Sequence, residues 1–349
     1  FDENLNIKNY IARGEVYGME AVISDKFTLQ ETNFNFFADN SDVLIKNLHS
    51  EMNGLSLKNG NVIVQKNKMT TIKSNFSTNV DLNQNNVERY LRLLKNNMYS
   101  YEKINLKGEL NHNLNIVFDN TYKVNKYSYE TKGDISLLDL KPNKAIKSLF
   151  LKNDIDNLSF KNSTLNFRYS SDKNNFINVT GNYKFNENDY QKFNLKNNFA
   201  GNDSKIELDI YLAEEFRLDI INYRKKDDSI AKISAILKIR NDLLNFEKID
   251  YKENKNLISL SDFKIKNKDI ISIKKIKIKT FNKKKLNNDF TLSFGKNIKI
   301  NGTRYDATNL NKILNKKNKD NNLKKISKNI EIDLKSIKTP LSKRLKNFK

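Results

Sequence analysis

Over long stretches of this chain every second residue is apolar or small. Ile72, Ser74, Phe76, Thr78, Val80 and Leu82 alternate with Lys73, Asn75, Ser77, Asn79 and Asp81. Ile104, Leu106, Gly108, Leu110, His112, Leu114, Ile116 and Phe118 keep one beat across a second run. The same period marks Ile177-Val179-Gly181-Tyr183-Phe185, Phe193-Leu195-Asn197-Phe199, Ile206-Leu208-Ile210-Leu212 and Phe290-Leu292-Phe294. A period of two puts one apolar and one polar face on a strand. Such strands build antiparallel sheet with one face wet.

Turn signals divide these runs. Asn53-Gly54, Asn59-Gly60, Lys132-Gly133-Asp134, Gly201-Asn202-Asp203, Lys226-Asp227-Asp228 and Gly295-Lys296-Asn297 all read as hairpin or meander connections. Helical spacing is confined to three short places. Val87, Tyr90, Leu91 and Leu94 follow possible caps at Asn85 and Asn86. Ala145, Ile146, Leu149 and Phe150 follow Pro142, and Ala307, Leu310, Ile313 and Leu314 follow Asp306. The predicted organisation is a first β section over 1–140, with a helix at 85–98, and a second over 141–315. The second opens with a short helix at 142–152 and ends in one at 303–315. A Lys/Asn-rich linker at 316–328 follows, and a new strand begins at Ile330, Ile332 and Leu334.

The predicted fold class is mainly β. About 20–25 strands at ~4.8 Å spacing would make one sheet about 100 Å long, which must twist, curl or split. The three short helices cannot cover its apolar face. Two solutions remain: a dry sandwich, or an elongated, twisted and curled sheet forming a groove.

Composition narrows the chemistry. The 349 residues contain 63 Lys and Arg against 41 Asp and Glu, for a formal charge of +22. Only nine of the cations are Arg, and Lys travels with Asn and Ile as a compositional bias would produce. Nucleic-acid sites lean on Arg forks and exposed aromatics, whereas the aromatics here fall on the strand beat, so no nucleic-acid partner is expected. The same Lys residues would serve attraction to anionic lipid, notably in the Ile/Lys tract Phe263 to Lys279, although Lys on edge strands also blocks edge pairing. There is no Cys, which excludes disulfides and thiol chemistry. His49 and His112 are the only histidines, so no metal and no cofactor is expected. His112 lies on the apolar beat, where a half-buried strand residue is the simple reading, and His49 reads as a loop residue. Glu214-Glu215 and Asp227-Asp228 are carboxylate pairs by spacing alone, and adjacent strand-end acids are usually solvated. No phosphate-binding loop or nucleophile elbow is present. The chain is therefore read as no enzyme. No apolar run reaches the ~20 residues of a membrane span. Residue 1 is Phe, and the chain reads as a segment of a longer one.

Three stretches resemble a known family. "NLHSEMNGLSLKNGNVIVQKNKMTTIKSNFSTNVDL", Asn47 to Leu82, has a G-x-x-L-x-x-G step, a strand, and then a strand ending before a helix. "LKGELNHNLNIVFDNTYKVNKYSYETKGDISLLDL", Leu106 to Leu140, places Gly108 and Gly133 on strands. "KNIKINGTRYDATNLNKIL", Lys296 to Leu314, has Gly302 and Asp306 ahead of Leu310, Ile313 and Leu314. In this order they resemble the AsmA-like proteins, YhdP-type branch, within the repeating-β-groove class of lipid-transfer proteins. The Lys and Asn content and the absence of Trp depart from the family. The resemblance implies an apolar channel for phospholipid acyl chains, and a periplasmic protein anchored in the inner membrane by a helix outside this sequence. It also implies a part in phospholipid movement between membranes and in outer-membrane integrity. On that reading the groove is lined by Ile72, Phe76, Val80, Ile104, Leu106, Leu110, Leu114, Ile116, Ile177, Val179, Phe193, Leu195, Ile206, Leu208, Ile210 and Leu212. The alternative is a structural or adhesive β-rich envelope protein with a dry core.

Overall fold

The computed structural model describes residues 9–24, 27–93, 101–148, 150–267, 269–282, 284–309, 329–340 and 345–348. Strands take up 76 % of it, mostly antiparallel and not closed into a barrel, which makes the protein mainly β as alternation predicts. The chain divides into two compact units. The first is Phe1–Ile146, Asp156–Tyr190 and Lys196–Gly201, and the second is Lys147–Ile155, Gln191–Leu195 and Asn202–Lys349. The division does not fall at the predicted boundary of 140/141. Pro142 ends β7, and the other described residues of 142–152 are bends, bridges and irregular backbone in place of the predicted helix.

The first unit is a meander. Its strands are β1 (Ile11–Ser24), β2 (Phe27–Asp39), β3 (Asp42–Met52), β4 (Leu55–Lys66), β5 (Thr70–Leu82), β6 (Tyr101–Phe118), β7 (Val124–Pro142), β8 (Leu158–Ser170) and β9 (Asn175–Phe185). Each pairs antiparallel with the next. The register carries the apolar beat from strand to strand. One row runs Val64, Ile72, Ile116, Tyr127, and a second runs Thr78, Leu110, Gly133, Leu165, Val179. On the opposite face Asn75 faces Asn113 and Asn113 faces Glu130.

The beat slips by one residue inside several strands, and Asn absorbs the slip. In β4, Leu55 and Leu57 share a face with Val62 and Val64, because an extra residue enters between Lys58 and Asn61. In β3 the slip lies between Ile45 and Leu48, and in β8 between Lys161 and Thr164. Each bulge contains an Asn at positive φ: Asn59 (54°), Asn47 (55°) and Asn162 (49°). Such bulges need a left-handed residue, and Asn tolerates it better than other side chains. Asn59-Gly60 is thus a bulge within a strand and not a turn. Lys132-Gly133-Asp134 also lies inside a strand, β7. A Cβ on Gly133 would sit 2.0 Å from the Glu109 carbonyl oxygen, and one on Gly108 would sit 2.5 Å from that of Asp134. The glycines are there because the two backbones approach too closely for a side chain. Asn53-Gly54, Gly201-Asn202, Asp227-Asp228 and Gly295-Lys296-Asn297 are turns or bends, as predicted.

The one α-helix among the described residues is α1 (Gln84–Leu93), which lies against β5 and β6. Its cap is Asn83, whose Oδ1 accepts the Asn86 backbone N–H (3.2 Å), and not Asn85 or Asn86. Residues 94–98 of the predicted helix lie outside the described residues. The β10 strand (Gln191–Ala200) contributes to both units.

The second unit contains β11 (Asp203–Leu212), β12 (Phe216–Leu218), β13 (Tyr223–Lys225), β14 (Ala231–Arg240), β15 (Leu243–Glu253), β16 (Asn256–Lys266), β17 (Asp269–Ser272), β18 (Lys275–Asn282), β19 (Lys285–Phe294), β20 (Ile298–Asp306), β21 (Ile330–Lys338) and β22 (Leu345–Phe348). Antiparallel pairing runs from β11 through β14, β15, β16 and β18 to β19 and β20. β17 and β18 share one side of β16 in series. β21 pairs with β20 in parallel, an exception to the antiparallel expectation. The predicted helix at 303–315 is corrected in its first part, since 303–306 completes β20. Residues 307–309 form a turn, and 310–315 and the linker 316–328 lie outside the described residues. The strand predicted from Ile330 is β21.

Candidate functional site

The apolar beats form one sheet face in each unit. In the first, Ile72, Phe76 and Val80 of β5 lie opposite Ile116, His112 and Gly108 of β6. Ile104, Leu106, Leu110 and Leu114 continue that face on β6, and Ile177 and Val179 join it on β9 through Phe167 and Leu165. In the second, Ile206, Leu208, Ile210 and Leu212 lie opposite Leu237, Ala235, Ile233 and Ala231. That face runs on through Ile249, Leu260, Ile276, Leu292 and Ile300. Phe193 and Leu195 share a face of β10, with Asn194 between them on the other.

Burial separates these residues. Val80, Ile104 and Leu212 are buried. The other thirteen candidates, including Phe76, Leu110, Leu114, Val179, Leu208 and Ile210, are only half-buried. A dry sandwich would bury them at interior density. Here the strands leave a partly open apolar surface, and hydrocarbon laid on it would remove that surface from water at ~25 cal/mol per Å2.

Several buried polar residues on the first face bond one another. Thr32 and Ser50 share a hydrogen bond (2.8 Å). His112 is 7 % exposed, more enclosed than its beat alone predicts. Its Nε2 shares a hydrogen bond with Thr78 Oγ1 (2.8 Å), and its Nδ1 meets Tyr129 Oη (2.7 Å) and Thr131 Oγ1. The ring stacks on Phe76 at 4.6 Å. Burial holds its pKa below the ordinary histidine value, so the neutral ring is favoured. With no carboxylate among these partners, His112 is a satisfied element of the face. His49 lies within β3, not in a loop.

One end of the second face is covered. The hairpin of β12, the 3-10 turn Asp219–Ile221 and β13 lies over it. Phe216 stacks on Tyr251 (4.9 Å), Tyr223 and Tyr251 share a hydroxyl hydrogen bond (2.8 Å), and Asn288 Nδ2 donates to the Ile221 carbonyl (2.8 Å). Thr280 and Asn288 beneath it are fully buried. Lys225 is 1 % exposed, and its ammonium donates to the carbonyls of Ala213 (2.5 Å), Glu214 (3.0 Å) and Lys226 (2.7 Å). Burial depresses its pKa, while the nearby carboxylates oppose the shift. Glu215 is not the solvated acid that the sequence suggests. Arg217 and Arg224 reach its carboxylate at 2.5 and 2.6 Å, and Lys152 at 3.6 Å. These partners, the Arg224 hydrogen bond foremost, hold its pKa at about 2. A permanently ionised carboxylate ringed by cations is a structural tie and has no proton to exchange near neutrality.

Among the described residues no cluster of three His, Cys, Asp or Glu side chains could hold a metal ion. No helix of the described residues is long and apolar enough to cross a membrane. Sequence reasoning missed the covering hairpin, because its strands are three residues each and carry no readable period. Compared with family models, curated proteins and solved structures, the chain matches none.

Proposed function

We propose that the protein carries phospholipid acyl chains on its apolar sheet faces, as a non-enzymatic lipid-transfer segment. The observation behind this reading is the half-burial of a cross-strand-continuous apolar face with a polar reverse side. Two acyl chains of about 30 methylenes in all require shelter worth ~24 kcal/mol at ~0.8 kcal/mol per CH2. Alternating strands supply such a surface without placing apolar residues on the outer side. No bond is made or broken, and the lipid moves by guided diffusion. The resemblance to the AsmA-like proteins supports placing this activity in the periplasm, between inner and outer membranes. It equally supports an inner-membrane anchor outside this sequence and a part in outer-membrane integrity.

Leu208 and Asp209 provide the test. Leu208 lies on the apolar face opposite Ala235, whereas Asp209 lies on the reverse side and pairs with Lys232 at 3.0 Å. A photo-crosslinking side chain at Leu208 should capture lipid and one at Asp209 should not. Leu208→Asp should abolish lipid occupancy while the sheet survives, because a half-open site can hydrate a carboxylate. Equal capture at both positions, or unfolding of the Asp variant, would support a dry core instead.

A further inference from the structure

The lysines between Phe263 and Lys279 have no role in the acyl-chain surface, and the fold gives them companions. The start of β18, the end of β16 and the turn after β19 meet at one end of the second unit. There Ser261, Lys274, Lys275, Phe294, Lys296 and Lys299 help line a cleft of about 650 Å3. The backbone holds its floor: the Phe294 N–H donates to the Lys274 carbonyl (2.9 Å), and the Lys274 N–H to that of Ser261 (3.4 Å). Four ammonium groups border the cleft against few acids. Lys274 pairs with Asp262 (3.4 Å) and Lys299 with Glu331 (3.1 Å). Lys275 and Lys296 have no carboxylate within ion-pair distance among the described residues, so the cleft carries uncompensated positive charge.

Its position relates it to the apolar face. Lys275, Ser293 and Lys299 face one another across β18, β19 and β20. One residue along, on the other side of the same strands, lie Ile276, Leu292 and Ile300 of the apolar row. Phe294 lines the cleft and lies opposite Ile298, at the end of that row. The far ends of β18 and β19 carry Thr280 and Asn288, which the hairpin seals. The sheet therefore has one end whose apolar side is covered, and an opposite end where Lys275 and Lys299 line the reverse side and Phe294 lies between cleft and apolar row.

We infer that this cleft binds the phosphate of a phospholipid headgroup, with Lys275 and Lys296 as its cationic contacts. The inference rests on the acyl-chain reading above and adds a headgroup end to it. Each surface Lys near a phosphate contributes about fivefold, so the pair contributes about 25-fold.

The test uses the full chain and two lipids with the same photoactivatable acyl chain, phosphatidic acid and diacylglycerol, each in phosphatidylcholine vesicles. The protein should capture phosphatidic acid about 25-fold more efficiently. K275Q/K296Q should erase that preference and leave diacylglycerol capture intact. K68Q/K126Q removes the same charge from the first unit and should leave the preference unchanged. Equal capture of the two lipids, or equal loss of preference in both double variants, overturns the headgroup cleft alone. Inorganic phosphate that binds the cleft by NMR without any lipid preference assigns it to a free anion and overturns it too. Capture of neither lipid overturns the acyl-chain reading and the headgroup site together.

Discussion

The two units use the same alternating strands and bury them differently. Among the described residues, the fully buried apolar side chains of the first unit are Val80, Leu82, Ile104 and Tyr183. The second unit buries Leu212, Ile221, Tyr223, Ala231, Tyr251, Ile258, Ile278, Phe290, Ile298, Ala307 and Leu334. Strand length does not explain this, since β6 and β7 of the first unit are the longest strands, at 18 and 19 residues. Only part of the difference is cover, since Ile298 is buried at the end of β20 far from the hairpin. In the second unit the hairpin from Phe216 to Lys225 sits on the sheet and brings its own hydrogen bonds and ions. In the first, Val80, Leu82 and Ile104 lie where α1 meets β5 and β6, and the rest of the face stays half-open. Alternation makes the face, and in the second unit a separate element covers one end of it.

An aspartate placed on each face should separate the units most sharply. Ile278 is 6 % exposed beneath the covered end. Ile278→Asp should cost about 3–5 kcal/mol, the penalty for an unpaired buried charge. Leu110→Asp, on the half-open face, should cost clearly less, because water reaches the carboxylate. Urea unfolding of both variants measures the gap, and equal costs would erase the distinction.

The first unit should be sensitive at its backbone instead. Gly133→Ala forces a methyl against the Glu109 carbonyl, and overpacking of that kind costs about 1–3 kcal/mol. Gly18→Ala is the control for space, since nothing lies within 4 Å of its Cβ position, although its positive φ adds some strain of its own. Thermal unfolding that ranks the control as the more harmful change would contradict the close approach.

Acid should act on the two units in different windows. Glu215 has a folded pKa of about 2 against an ordinary 4.5. Its contribution is therefore complete above about pH 4.5 and is lost as pH falls toward 2. Glu215→Gln should flatten the urea midpoint across that window. His112 is the smaller effect. Its folded pKa is lowered from 6.5 by burial, so the unfolded chain takes up the proton first. Stability is then complete above about pH 6.5 and declines as pH falls below it. His112→Gln should remove this upper slope and leave the lower one, and a slope unchanged by the substitution would place it elsewhere.

Much of the fold was legible because period two is a strong local signal. The run from Ile104 to Phe118 lies within one strand, and Ile206 to Leu212 lies on one face, as its beat requires. Asn59-Gly60 was illegible because a bulge and a turn use the same residues: both need a left-handed position, and both interrupt the beat. Gly133 was misread for a related reason, since a glycine demanded by a neighbouring backbone looks locally like one demanded by a turn. The residues after Pro142 have helical spacing, yet Leu151 bridges to Phe216 and Arg217 donates to the Phe150 carbonyl, so tertiary pairing overrides a weak local preference. Glu215 could not be assigned from its neighbours in sequence, because Lys152 and Arg224 reach it only through the fold. The candidate lining residues were legible as a face, but their half-burial depends on what covers them, and no period encodes that.

Native mass spectrometry of the protein purified from cells under non-denaturing conditions tests the central claim most directly. The account predicts phospholipid adducts on the folded chain, lost in a Leu208→Asp variant that keeps its sheet circular dichroism. A folded protein that carries no lipid, or lipid retained undiminished by that variant, would contradict it.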